Sequence, residues 1–395
     1  MQRGGERRAR YHRSLRFMPR NFHVFPDLIF LIACVAATLA LAVWGRRLLK
    51  RRWQRVTLYM LAIACIGCYG GGYLMLYFRV TRHLAVEVVT WLQGIALILG
   101  ICAIGMGILG FLLRRIPFRE DRRAMFRAAG AAVMSTPALV TAFGIVHRDD
   151  FRVTEVSAPV KGLARDLDGL TLVQLSDIHM SEFLSERQLM RAIDMANETR
   201  AKLALVTGDL ITRPGDPLDP CLRQIGRLKA EAGVFGCMGN HEGYANVEDY
   251  VEKESALMGV RFLRSASEPL RFGNATLNLA GVDYQAFRDP YLVGAEKLKR
   301  AECLNVLLSH NPDVFRVASK QGWDLTISGH THGGQIAVEI LHQNISPARY
   351  FTPFVRGLYR SDRGAVYVST GLGTVGLPVR LGAPPEVSLI RLCAI

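Results

Sequence analysis

Cysteine gives this chain little to build with. Of eight cysteines in 395 residues, Cys34, Cys65, Cys68 and Cys102 fall inside long apolar runs, where a thiol packs as a small hydrophobe. Cys65-x-x-Cys68 has the spacing of a redox or zinc pair, but an uncharged run of bilayer length is the wrong setting for either. Cys221, Cys237, Cys303 and Cys393 show no metal spacing, so cysteine-based metal binding finds no support. There is no internal repeat and no low-complexity tract, which removes the repeat architectures. Acidic residues are scarce in one part only: residues 1–150 hold 7 Asp and Glu against 22 Lys and Arg, whereas residues 151–395 hold 27 of each. The whole net charge of +15 therefore lies in the first part, between apolar runs. That pattern argues for charged loops beside a membrane and against a basic nucleic-acid-binding face, so no nucleic-acid partner is expected.

Four runs, 28–45, 56–78, 88–113 and 128–146, contain no Asp, Glu, Lys or Arg. Each is about the 17–25 residues a helix needs to cross a bilayer. Trp44, Trp53, Tyr59, Tyr77 and Trp91 lie near run ends, where amphipathic rings favour the interface. Four transmembrane helices are expected, the fourth weakened by Pro137 and many alanines. The resulting division is a basic tail over 1–27, a membrane domain over 28–147, a linker and edge strand over 148–164 and a catalytic domain over 165–395. Arginines cluster at 46–55 and 114–127 but not in the middle loop, so the positive-inside rule puts both termini outside the cytoplasm of a bacterial inner membrane. Asp121-Arg122-Arg123-Ala124-Met125-Phe126-Arg127 before an Ala-rich run resembles a twin-arginine export signal and agrees. Seven arginines from Arg3 to Arg20 disagree, although translation from Met18 would remove six of them.

Beyond about residue 150, apolar runs shorten to strand length and alternate with helical patterns. Strands are expected at 170–176, 202–208, 233–239, 303–309, 323–329, 365–370 and 387–392. Ser185-x-x-Gln188 has the form of a capping box opening a helix through about Arg200. Further helices are expected at 221–230 and 247–258, and a hairpin joining 260–265 to 275–282 with Gly273-Asn274 near its turn. The alternation predicts an α/β sandwich with mixed sheets.

Residues 327–336 read ISGHTHGGQI. Alone, His330 and His332 could be polar ornaments of a glycine-rich turn. Other strand ends change that reading. Asp177 and His179 follow LTLVQLS, Asp209 follows KLALVTG, Asn240-His241-Glu242 follows GVFGCMG, and His310 follows CLNVLLS. Five strands deliver carboxylate, amide or imidazole groups at their C-terminal ends, the edge where ligands gather in open α/β sheets. His12, His23, His83, His147 and His342 sit in no such setting and receive no role.

The series Asp177-x-His179 … Gly208-Asp209 … Gly239-Asn240-His241-Glu242 … His310 … Gly329-His330-x-His332 resembles the calcineurin-like metallophosphoesterases over about residues 165–395. Ser309-His310-Asn311-Pro312-Asp313 and the tail Gly371-Leu372-Gly373 … Pro384-Pro385-Glu386 give it the flavour of a bacterial membrane-linked or exported branch. The resemblance implies a metal-dependent phosphoric ester hydrolase. Asp177, His179, Asp209 and His332 would hold one metal; Asp209, Asn240, His310 and His330 would hold the other, with Asp209 as the bridge. Two metals about 3.5–4 Å apart can clamp the attacking and leaving oxygens of a phosphoryl displacement and supply a hydroxide near neutral pH. Mixed N/O ligation suits Mn, Fe or Zn. The resemblance gives His241 the leaving group, with orientation of the ligand shell as its alternative role. The expected substrate is a phosphorylated, lipid-linked small molecule at the membrane, as a phosphomonoester, diester or pyrophosphate. Hydrolysis of a UDP-2,3-diacylglucosamine-type lipid A precursor is the narrower alternative; a non-catalytic membrane scaffold or sensor with structural metals is the alternative of another class. Specificity is assigned to the loops 341–357 and 372–385, whose Arg349, Tyr350, Phe351, Phe354, Arg356 and Arg380 could hold an acyl chain or a nucleotide or simply pack against the bilayer.

Overall fold

Period-two patterning builds the centre of the catalytic unit. Leu172, Leu203 and Leu205 face one core, while Val173, Leu175, Ala204 and Val206 face another. Successive strand residues point to opposite faces, so a strand apolar at every position must be covered on both sides. The structure, a computed structural model, describes residues 142–285, 291–340, 343–376 and 378–395, with residue 140 and parts of 32–67. Residues 147–375 and 379–395 belong to one compact unit, which carries all the elements named below.

Its strands and longer helices run β1 (Arg152–Val160), β2 (Thr171–Leu175), α1 (Glu186–Glu198), β3 (Leu203–Thr207), α2 (Leu218–Ile225), β4 (Val234–Cys237), α3 (Asn240–Ala245), α4 (Glu248–Leu257) and β5 (Val260–Phe262). There follow β6 (Ala266–Phe272), β7 (Ala275–Gly281), β8 (Leu304–Leu308), α5 (Phe315–Gln321), β9 (Leu325–Ser328), β10 (Val338–Ile340), β11 (Gln343–Ile345), β12 (Gly357–Ser361), β13 (Gly364–Val368) and β14 (Glu386–Ala394). One six-stranded sheet has the order β1-β14-β2-β3-β4-β5 and the other β12-β13-β9-β8-β7-β6, with β10 and β11 a separate pair. Both six-stranded sheets are mixed: β14 lies parallel to β1 and antiparallel to β2, and β13 lies parallel to β9 and antiparallel to β12.

Between the sheets, Leu172, Leu205 and Phe235 meet Leu279, Val306 and Ile327 in one core. α1 and α2 bury Leu189, Ile193, Leu222 and Ile225 against the outer face of the first sheet. Val314 and Ala318 pack with Trp323 on the outer face of the second. At the end where β2, β3 and β9 finish, Gln174 ties the sheets together: its Nε2 donates to Thr207 Oγ1 (2.7 Å) and to Ser328 O (2.9 Å).

The expected capping box is present at α1, where Ser185 Oγ accepts from Gln188 N and Gln188 Oε1 accepts from Ser185 N (2.8 Å). The expected hairpin needs correcting. Residues 260–262 pair with β4 in the first sheet, and the partner of β7 is β6, turning at Gly273-Asn274. Glu268 and Pro269 hid β6 in the sequence; it is an edge strand, where a residue without an N–H is tolerated.

The four-span membrane domain is also corrected. Among the described residues no helix is long and apolar enough to cross a membrane. Residues 52–60 are described as helical. The run 88–113, the tail 1–27 and the arginine motif 121–127 lie outside the described residues, as do most positions of 28–45, 56–78 and 128–146.

Candidate metal centre

Asp177 and His179 follow β2, Asp209 follows β3, Asn240 and His241 open α3 after β4, His310 follows β8, and His330 and His332 follow β9. Backbone bonds lace these loops together: Asp177 N donates to Gly208 O (3.1 Å), His179 N to Asp209 O (2.9 Å) and Gly329 N to His310 O (3.1 Å). Asp177, His179, Asp209, His330 and His332 all have positive φ, between 46° and 76°. Side-chain residues pay roughly 1–3 kcal/mol each for unfavourable backbone conformations, and such strain gathers at functional sites. Close approach explains two glycines. A Cβ on Gly239 would collide with Asp209 Oδ1, and one on Gly329 with Ser176 Oγ and Asp177 Oδ2.

The side chains then converge on two buried carboxylates. Asp209 Oδ2 lies 3.0 Å from His310 Nε2, 3.4 Å from His179 Nε2 and 4.0 Å from His241 Nε2. Asp177 Oδ1 lies 3.4 Å from His332 Nε2 and 3.9 Å from His310 Nε2. Three trios bring one donor atom per residue within 4.8 Å of one another: Asp177, His179 and His332; His179, Asp209 and His241; Asp209, His310 and His330. The backbone N of His330 donates to both oxygens of Asp177 (2.9 and 3.0 Å). Asn240 is buried beside this group, and Tyr244 and Tyr284 flank it, stacking edgewise on His241 (5.4 Å) and tilted on His330 (5.6 Å).

Metal fit follows from the hydrogen bonds. Nδ1 of His310 faces Thr207 O (2.6 Å), Nδ1 of His241 faces Thr212 O (2.5 Å) and Nδ1 of His332 faces Gly373 O (3.3 Å). A carbonyl only accepts, so each Nδ1 carries its proton, and a neutral ring then presents a lone pair at Nε2. Lone pairs aimed at carboxylate oxygens need a cation between them. Nε2 of His179, Nε2 of His310 and Oδ1 of Asn240 are buried without a hydrogen bond in good geometry. The donor set fits divalent metal, with the rings of His310, His241 and His332 steered from behind.

Burial pushes His179 down to about 4 and His330 and His332 down to about 3. Burial also lowers His310, but Asp209 and Asp177 outweigh it and hold the group at about 10. Asp209 is raised by burial, yet His310 and His241 bring it well below the usual carboxylate range. Without metal, then, one proton sits on the Asp209–His310 pair. Three histidines that stay neutral when folded contribute stability above their ordinary 6.5, and lose it as pH falls toward 4 and 3. His310 does not offset this, because its contribution is complete below 6.5 and fades only as pH rises toward 10. Glu242, raised by burial and Asp209, Asp216, raised by burial to about 6, and Asp324, raised by burial, oppose this by holding protons that the unfolded chain has already lost. In EDTA, the urea midpoint is expected to fall from about pH 6.5 to 4.5, each histidine adding at most about 1.4 kcal/mol per pH unit, less what the raised carboxyl groups return. Imidazole NMR resonances of these three rings that titrate near 6.5 in EDTA would contradict their burial.

Sequence reasoning gave Glu242 no role, yet it is fully buried and holds two strand ends together. Oε2 accepts from Gly239 N (2.7 Å) and Asp209 N (2.9 Å), and Oε1 accepts from Leu210 N (2.7 Å). Its position three residues after Gly239 was the available signal. Glu242→Ala would leave three buried N–H groups unpaired and is expected to cost about 3 kcal/mol or more, read as a lowered urea midpoint of the metal-free protein. Thr212 was also missed: its carbonyl holds His241, its Oγ1 lies 3.3 Å from His179 Nδ1, and Asp216 Oδ2 accepts from its N (2.9 Å).

The loops assigned to specificity divide. Phe354 packs edgewise on Phe315 (5.6 Å) and Tyr359 (5.3 Å), and Arg356 Nη1 donates to Gly382 O. Arg380 is buried and faces inward, a correction to its expected substrate contact. Arg349 and Phe351 stand exposed beside Arg316, Thr352 and Pro353 around a cleft of about 300 Å³.

A two-sheet sandwich whose strand ends bring together Asp, Asn and His donors is the frame of a metal-dependent hydrolase. The model of the family described as calcineurin-like phosphoesterase matches residues 170–334. A protein of Danio rerio named "Transmembrane protein with metallophosphoesterase domain" is 31% identical over 371 residues, covering 87% of this chain and 81% of its own. A Bos taurus protein of the same name is 28% identical over 294 residues, covering 70% and 64%. The "Uncharacterized metallophosphoesterase YkuE" of Bacillus subtilis (strain 168) is 26% identical over 288 residues, covering 71% and 99%. The chain belongs to the calcineurin-like metallophosphoesterases and is a metal-dependent phosphoric ester hydrolase.

Proposed function

We propose that the protein uses two metal ions to hydrolyse a phosphomonoester, diester or pyrophosphate bond of a lipid-linked substrate at a membrane. The observation that carries the metal reading is Asp209, whose Oδ2 faces Nε2 of His310, His179 and His241. Asp177, His179, Asp209 and His332 would hold one ion, and Asp209, Asn240, His310 and His330 the other. Bound Mn, Fe or Zn would supply Lewis-acid charge at the phosphoryl oxygens and lower the pKa of water in the site. His241 is the proton donor in its imidazolium form: Nδ1–H stays on Thr212 O, and Nε2–H passes to the leaving oxygen as the P–O bond breaks and water adds to phosphorus, which leaves the neutral ring with its lone pair at Nε2.

Support for the membrane comes from the word "transmembrane" in the names of two relatives. The cleft flanked by Arg316, Arg349 and Phe351 offers guanidinium for a headgroup phosphate and a ring for the acyl boundary. The stretch Asp121-Arg122-Arg123-Ala124-Met125-Phe126-Arg127, which resembles a twin-arginine export signal, supports a catalytic unit outside the cytoplasm. An active alkaline phosphatase fused after Ile395 would agree; an inactive one, with a fluorescent fusion at the same point, would not.

Metal and substrate are tested together. EDTA is expected to abolish hydrolysis of a nitrophenyl phosphodiester, and about two equivalents of Mn per chain to restore it. Arg349→Ala combined with Phe351→Ala should lower hydrolysis of phosphoesters in anionic vesicles far more than of the soluble ester. Turnover that survives EDTA would defeat the metal reading; equal losses on both substrates would defeat the lipid reading.

A further inference from the structure

Arg380 is the one lysine or arginine buried to 3% exposure among the described residues, and it spends its charge on backbone. Nε donates to Gly373 O (3.2 Å), Nη1 to Ala383 O (3.0 Å), and Nη2 to Thr370 O (2.9 Å), Gly371 O (3.2 Å) and Gly373 O. Carbonyls of residues 370, 371 and 373 would repel if brought together unaided. A planar guanidinium with five donors in a fixed fork is suited to gather them; an ammonium on a flexible stem is not.

What the gathered loop touches gives the cluster its meaning. Leu372 N donates to Ser176 O (3.0 Å) and Gly373 N to Asp177 O (2.7 Å). Gly371 lies so close to Asp177 that a Cβ would meet the aspartate's own Cβ at 2.5 Å. Gly373 O, doubly held by Arg380, is the carbonyl that accepts from His332 Nδ1. The loop thus fixes the backbone of Asp177 and the ring orientation of His332. On the other side, His310 is steered by Thr207 O, from a different strand end.

We propose that Arg380 is a positioning residue that braces the Asp177–His332 half of the metal centre by holding the carbonyls of residues 370–373 around one guanidinium. The inference rests on the two-metal reading above. It also makes the two metal positions unequal in what supports them, which no resemblance between ligands would reveal.

Two effects of the same residue have opposite signs. A buried cation near the site repels a metal ion, whereas the brace favours binding by fixing ligands. Arg380→Lys keeps the charge and loses most of the fan of bonds; Arg380→Met loses both. The full chain, stripped with EDTA, would be titrated with Mn by calorimetry and followed by electron paramagnetic resonance. Wild type should take up two ions and show the spectrum of a coupled pair. Arg380→Lys should weaken one ion by about 10–100-fold, leave the other unchanged and replace the coupled spectrum with that of an isolated ion. Adding it to His332→Ala should cost no further affinity, whereas adding it to His330→Ala should. Unchanged binding, equal weakening of both ions, or tighter binding in Arg380→Met would overturn the brace. So would loss of cooperative unfolding in both variants in EDTA, which would make Arg380 a folding residue. A wild-type chain that takes up a single ion would instead fail the two-metal reading, before any variant is considered, and the brace with it.

Discussion

Asp209→Asn is expected to bring phosphoester hydrolysis below detection and to lower bound metal by about one ion per chain. The substitution is nearly isosteric, and the amide oxygen can still accept from His241 N, which donates to Asp209 Oδ1 at 2.9 Å. The backbone tie to Glu242 is also kept, since it runs through Asp209 N. What disappears is the negative charge at Oδ2, the atom that three imidazole nitrogens face. An amide has one coordinating oxygen and no charge, so it cannot neutralise two dications from between them. Elemental analysis beside a turnover assay would separate loss of metal from loss of chemistry. Full metal content with full turnover would defeat the bridging role of Asp209.

For His241→Ala, the expected loss is roughly 10²–10⁴-fold on an alkyl phosphoester, and much less on a nitrophenyl ester whose leaving group needs little protonation. The side chain is 15% exposed, whereas those of His179 and His310 are fully covered. It therefore stands where a leaving group can reach it, with Nδ1 held from behind by Thr212. Because His179 packs edge-on against it at 4.7 Å, a role in shaping the ligand shell makes a distinct prediction. Equal losses on both esters, together with lower metal content, would assign His241 to orientation alone.

The ligand-bearing strand ends could be read from the sequence because their chemistry is local. A buried strand shows as an apolar run, and a polar residue just beyond it lies at the sheet edge by necessity, as with Leu203–Thr207 and Asp209. The supports could not be read the same way. Glu242 is informative only once Gly239, Asp209 and Leu210 are known to lie together, and Arg380 looks like any loop arginine until its carbonyl partners are placed. Pro269 concealed β6 because a proline weighs against a strand unless its place at a sheet edge is known. The apolar runs before residue 147 satisfied a length rule. Length and hydropathy do not establish a continuous helix, and among the described residues none of sufficient length is found.

β14 lies between β1 and β2, although more than two hundred residues of chain separate it from either. The order of synthesis and the order of the sheet are thus at odds. A nascent chain halted before Glu386 would carry β1 and β2 with no strand to join them, and Glu386, which accepts from Thr370 N (3.0 Å) and Tyr367 Oη (2.9 Å), would be missing as well. Long-range pairing of this kind is slow and leaves strand edges open meanwhile. Asp177, His179, Asp209 and Asn240 follow strands of this first sheet, whereas His310, His330 and His332 follow strands of the second, in which β14 has no part. Completion of the first sheet is therefore gated by translation of the last strand, after every residue from Asp177 to His332 has emerged.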